Sequence, residues 1–139
     1  MKKNNRNNRY NQKNYSEGLL DYDCIFYIEK YFKDVLYMEK KRAERSKSRF
    51  LLMQVNIAGL LNGNGDSMHE KKIAQVLYSV KRETDIAGWY KNNTIMGVIF
   101  IETGELYEDL IRQKFYKKLS RILSINQLKE IKLTFHIIP

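Results

Sequence analysis

Ile86-Ala87-Gly88-Trp89-Tyr90-Lys91-Asn92-Asn93-Thr94-Ile95-Met96-Gly97-Val98-Ile99-Phe100-Ile101 is the stretch whose reading decides the fold. Two apolar segments, Ile86–Tyr90 and Ile95–Ile101, flank the polar turn Lys91-Asn92-Asn93-Thr94. Asparagine tolerates the left-handed backbone that a tight hairpin needs, so the spacing predicts two antiparallel strands. On the N-terminal side, Ile73, Val76, Leu77 and Val80 recur at helical spacing. Before that helix, Gly59–Ser67 reads as a loop with the turn dipeptides Asn62-Gly63 and Asn64-Gly65. Phe50–Ile57 reads as a strand, with Leu51, Met53, Val55 and Ile57 on one face and Gln54 and Asn56 making the other turn polar. On the C-terminal side, Glu105–Leu123 predicts a helix with apolar positions at Leu106, Leu110, Leu119, Ile122 and Leu123. Ile131–Ile138 predicts a last strand with Ile131, Leu133, Phe135 and Ile137 on one face and Lys132, Thr134 and His136 on the other.

A further helix is predicted over Tyr22–Ser48, where Ile25, Ile28, Phe32, Val35 and Leu36 keep helical spacing and Asp21 or Asp23 would cap the start. The order is one helix followed by βαββαβ. This is an α/β (α+β) pattern, a ferredoxin-like sandwich with an extra N-terminal helix. The strands from residues 50 and 131 are expected at its centre. The second and third helices are expected over one face, and the first over an edge or the other face.

The chain has 139 residues, 43% of them hydrophobic, enough for one domain with its own core. No apolar stretch approaches the ~20 residues of a membrane span, and no apolar segment follows the charged N-terminus as in a secretory signal. The single cysteine, Cys24, cannot staple a fold. It points to a reducing, cytoplasmic setting and reads as a small buried hydrophobe. The net charge is +9, and it is uneven. Lys2, Lys3, Arg6, Arg9 and Lys13 stand among Asn4, Asn5, Asn7, Asn8, Asn11 and Asn14, with no acid before residue 16. Residues 1–20 therefore read as a disordered, basic, Asn-rich tail, and residues 21–139 as a single domain. Such a tail is either solvated or attaches loosely to nucleic acid or anionic lipid.

His69 and His136 have no Cys or acidic partner at ligand spacing, so no metal site is expected. The loop from Gly59 to Gly65 lacks the Gly-Lys-Ser/Thr ending of a phosphate-binding loop. The βαββαβ order and the ten tyrosines also fit an RNA-recognition domain. That module needs stacking aromatics on its first and third strands, where this chain has Met53 and only Phe100. Tyr27, Tyr31, Tyr37 and Met38 widen the apolar stripe of the helix at 22–48. The stripe is either a surface for a protein partner or a second copy, or packing against the chain's own sheet.

The segment from Arg42 to Phe100 resembles the GGDEF domain of bacterial diguanylate cyclases. Arg42–Asn56 is similar to the family's basic helix end and first strand. Asn62-Gly63-Asn64-Gly65-Asp66 stands where the family has an Asn-Asp…Gly-His…Gly-Asp loop. Arg82-Glu83-Thr84-Asp85-Ile86-Ala87-Gly88-Trp89-Tyr90 resembles the run into the signature hairpin. The resemblance implies a nucleotide-cyclase-like fold over the domain at 21–139. It implies metal-holding aspartates at the positions of Asn56 and Ala58, and Gly-Gly-Asp-Glu-Phe where this chain has Lys91-Asn92-Asn93-Thr94-Ile95-Met96. It also implies an inhibitory nucleotide-binding role for the Arg-x-x-Asp spacing of Arg82 and Asp85.

The departures from the family pattern carry a chemical consequence. Magnesium is held by hard anionic oxygens, and joining nucleotides needs the metal to neutralise triphosphate charge. Asn56, Ala58, Asn92, Asn93 and Thr94 supply no carboxylate. The expectation is a degenerate GGDEF-like domain with no catalytic residues and no cofactor. Its role would be regulation or protein interaction in bacterial signalling or exopolysaccharide control. The alternative is a nucleic-acid-binding domain that uses the basic tail.

Overall fold

The computed structural model describes residues 26–60, 67–101 and 107–139. The expected tail, Asp21, Asp23, Cys24, Asp66 and most of the Gly-rich loop lie outside the described residues. The elements are α1 (Glu29–Ser46), β1 (Phe50–Asn56), α2 (Ser67–Val80), β2 (Ile86–Lys91), β3 (Ile95–Ile101), α3 (Tyr107–Leu119), α4 (Ile125–Lys129) and β4 (Lys132–Ile138). The strands form one antiparallel sheet in the order β2-β3-β1-β4.

The α+β architecture agrees with the sequence reading, but the sheet order corrects it. The strand after residue 131 pairs with β1 as expected, yet it lies at an edge, and β3 takes the second central place. The physical reason is composition. Ile95-Met96-Gly97-Val98-Ile99-Phe100-Ile101 is apolar at every position and buried through its middle five residues, as a strand covered on both faces must be. In β4, Lys132, Thr134 and His136 are exposed, and even Ile137 is 60% exposed.

Each face of the sheet buries its own core. Leu51, Met53 and Val55 of β1 join Val98 and Phe100 of β3 under Ile73, Ala74 and Leu77 of α2 and Ile111, Phe115 and Leu119 of α3. On the opposite face, Phe50, Leu52 and Ile99 lie under Phe32, Leu36 and Ala43 of α1. The first helix thus covers the other face.

Two helix boundaries depart from the periodicity. Residues 26–28 are not helical, because the edge of β2 takes them as an extended segment. The Tyr27 N–H donates to the Ala87 carbonyl at 3.0 Å, and the Trp89 N–H donates to the Tyr27 carbonyl at 2.9 Å. Phe26 is buried edge-on against the Trp89 ring, with centroids 5.7 Å apart. The helix starts only after Ile28, which gives it no side-chain cap; the expected caps Asp21 and Asp23 lie outside the described residues. The helix expected over Glu105–Leu123 is also shorter, ending at Leu119, and a separate short helix follows. Ser124 and Gln127 close the start of α4 as a reciprocal capping box. Leu110, expected on the apolar stripe, is 56% exposed, while Ile111 and Phe115 fill the core. Leu106 lies outside the described residues.

Candidate functional site

The end of β1 and the turn of the β2–β3 hairpin meet. Asn56 stands opposite Ile95 in the ladder, and the Ile57 N–H donates to the Thr94 carbonyl at 2.9 Å. The turn closes with the Thr94 N–H on the Lys91 carbonyl at 3.0 Å, and Asn93 adopts a left-handed φ of 60°. Asn92, Asn93 and Thr94 are therefore brought beside Asn56 and Ala58, the relation the sequence predicts for these five positions.

The side chains of Asn56 and Thr94 serve the backbone. Asn56 Oδ1 accepts the Ala58 N–H at 3.0 Å, and Thr94 Oγ1 donates to the Asn92 carbonyl at 3.3 Å. The Asn92 N–H donates to Glu29 Oε1 at 2.6 Å. This tie between the hairpin and the start of α1 was not visible in the sequence, because Glu29 and Asn92 share no local pattern. An open depression of about 600 Å³ lies there, lined by Ile28, Glu29, Lys30, Lys33, Asp34 and Asn92. Its two cations and two carboxylates give it no single charge preference.

The residues present do not fit a divalent metal of the kind the resemblance implies. The Asn56 carboxamide oxygen is neutral and already accepts a backbone hydrogen bond, and Ala58 offers no ligand atom. Among the described residues no group of three His, Cys, Asp or Glu side chains converges.

Arg82 and Asp85 stand at the opposite end of β2. The Asp85 carboxylate is fully buried, and the Arg82 side chain is 40% exposed. Arg82 Nε and Nη2 grip the two carboxylate oxygens at 2.9 Å each, a bidentate pair. The backbone N–H groups of Arg82 and Ile101 donate to the same carboxylate at 2.9 and 3.1 Å. Arg82 Nη2 also donates to the Ile101 carbonyl, and its guanidinium lies over the Tyr107 ring at 5.0 Å. Burial and the Asp85 charge push the Tyr107 hydroxyl upward from the ordinary tyrosine range, against the opposing pull of Arg82. The pair thus binds the start of β2, the end of β3 and the start of α3 together.

The histidines make structural contacts. His136 Nε2 lies 3.0 Å from Gln54 Oε1, and His69 Nε2 lies 3.3 Å from Gln127 Nε2. The sheet face on which an RNA-recognition domain stacks bases holds Leu52 and Ile99, both buried beneath α1. On α1 the stripe of Phe32 and Leu36 packs against the chain's own sheet. Tyr27 and Tyr31 stack on each other with centroids 4.4 Å apart. Tyr37 and Met38 point outward, 60% and 59% exposed. No helix among the described residues is long and apolar enough to cross a membrane.

No protein-family model and no curated protein matches the sequence. Solved structures match the fold. A DGC protein from Thermotoga maritima is similar with a TM-score of 0.69 at 18% identity, over 82% of this chain and 82% of that one. The GGDEF domain of DgcB from Caulobacter crescentus, in complex with c-di-GMP, is similar with a TM-score of 0.63 at 18% identity, over 81% of this chain and 72% of that one. Diguanylate cyclase SiaD from Pseudomonas aeruginosa, in complex with its activator SiaC, gives 0.62 at 16% identity, over 93% of this chain and 55% of that one. An α+β fold with four antiparallel strands and helices on both faces, shared with these structures, is the fold of GGDEF, nucleotide-cyclase-like domains.

Proposed function

We propose that this chain is a non-catalytic GGDEF-like domain, acting as a regulatory or protein-interaction module in bacterial signalling. One observation carries the reading. The end of β1 and the β2–β3 turn sit side by side, and they present three carboxamides, a hydroxyl, a methyl and an engaged backbone instead of carboxylates. Triphosphate chemistry in such a site would lack the charge neutralisation that a carboxylate-held metal supplies. Arg82 and Asp85 act on this reading as an internal clamp rather than as a nucleotide site. The outward Tyr37 and Met38 of α1 give a protein partner an apolar contact. A structure of the same fold was solved with a protein activator bound, which supports the interaction role.

The test is incubation of purified protein with GTP and Mn²⁺, followed by a search for a cyclic dinucleotide. The expected result is no product beyond that of heat-killed protein. Product above that level overturns the reading.

A further inference from the structure

The two edges of the sheet are treated differently. The edge of β2 is covered by Tyr27, which exchanges two hydrogen bonds with Ala87 and Trp89. The outer edge of β4 has no pairing element among the described residues. Between its ends, Lys132 and Pro139, that edge lacks the usual guards against pairing with another chain. Between Lys132 and Ile138 there is no proline, the register with β1 runs without a bulge, and the only charged residue is Lys132 at the first position.

The sequence of β4 is complementary to itself in the antiparallel sense. A two-fold axis through Phe135, the middle residue of Lys132–Ile138, pairs all seven positions. Leu133 falls opposite Ile137 of the second copy, and Phe135 opposite its own equivalent. These residues share the face of α2 and α3, where Leu133 and Phe135 are only partly buried and Ile137 is 60% exposed. Thr134 falls opposite His136, and Lys132 opposite Ile138, on the other face. No like charges meet, and Leu133, Phe135 and Ile137 each gain an apolar neighbour.

We propose that β4 is a self-association edge, and that its occupant is the β4 of a second copy of this chain, giving an eight-stranded antiparallel sheet across a two-fold axis. The inference does not depend on the catalytic status of the domain. A single strand pair buries less than the ~1,200 Å² of the smaller stable interfaces, so the dimer is weak and concentration-dependent.

Sedimentation of the full chain over a concentration series is the first measurement. A reversible monomer–dimer equilibrium is expected. Ile137→Lys, at an exposed position that leaves the fold intact by circular dichroism, should raise the dissociation constant at least about tenfold. In a Cys24→Ser background, Thr134→Cys combined with His136→Cys should form intermolecular disulfides under mild oxidation well beyond either single variant. A monomer at every concentration overturns the proposal. Self-association that Ile137→Lys leaves unchanged, with no preferential cross-link, also overturns it and assigns the contact to another surface such as α1.

Discussion

Gly97 faces the ring of Phe32 so closely that a Cβ on the glycine would lie 2.8 Å from Phe32 Cζ and 3.0 Å from Cε2. Gly97 pairs across the ladder with Gly88, whose own Cβ would meet the Tyr27 carbonyl oxygen at 2.6 Å. The two glycines form a flat patch on adjacent strands, and Phe32, fully buried, is the side chain of α1 that fills it. The seating of α1 on the β2–β3 half of the sheet is set by what those positions lack.

Gly97→Ala should cost about 1–3 kcal/mol, the usual range for overpacking a tight core. Gly88→Ala should cost more, because it strikes backbone that holds the Tyr27–Trp89 hydrogen bond. Urea unfolding followed by tryptophan fluorescence reads both. Phe32→Leu should recover part of the Gly97→Ala loss in a double-mutant cycle. Additive losses would remove the ring–glycine contact as the cause.

The clamp at the other end of β2 gives a second prediction. Asp85→Ala removes the acceptor of four N–H groups and should destabilise the chain by about 3 kcal/mol. Arg82→Lys should recover little of what Arg82→Ala loses. An ammonium cannot grip two carboxylate oxygens and stack on Tyr107 together. Thermal unfolding of the three variants checks this, and full rescue by lysine would reduce the clamp to a simple charge contact.

What the sequence made legible was local. The strands starting at residues 50, 86 and 95 follow from alternation and turn chemistry, and the stripe of Ile73, Leu77 and Val80 in α2 follows from period. The start of α1 was hidden, because Tyr27 and Ile28 fit a helical spacing while a distant strand edge holds them extended. The place of β4 was misread because Ile131, Leu133, Phe135 and Ile137 alternate as well as a central strand would. The unbroken apolar run of β3 was the better signal of centrality. Ser124 and Gln127 carried a legible start signal for α4. At the candidate site, the meeting of Asn56 with the hairpin turn followed from topology. The Glu29–Asn92 contact joins residues with no common pattern.

Asn93 supplies a third test, since its φ of 60° lies where a side chain is strained. Asn93→Ala should cost about 1 kcal/mol, while Asn93→Gly should be nearly neutral or mildly stabilising. Chemical denaturation of the two variants separates them. An equal loss in both would mean that the Asn93 side chain, not its backbone, holds the turn.

Asn56 separates the structural reading of the candidate site from a metal-binding one. Its Oδ1 caps the Ala58 N–H where helical backbone begins at residue 58. Asn56→Ala removes that acceptor and should cost about 1 kcal/mol, the usual value for a lost cap. Asn56→Asp keeps an acceptor oxygen at the same position and should stay close to the parent in stability. A metal ligand would behave differently, because any ion bound only by the folded state raises the melting temperature as its concentration rises. Melting of the parent chain should be the same with Mn²⁺ as with an equal ionic strength of a monovalent salt, and Asn56→Ala should be destabilised by the same amount in both. A Mn²⁺-dependent rise in the parent that Asn56→Ala abolishes would place a cation at the end of β1 and sink the non-catalytic reading.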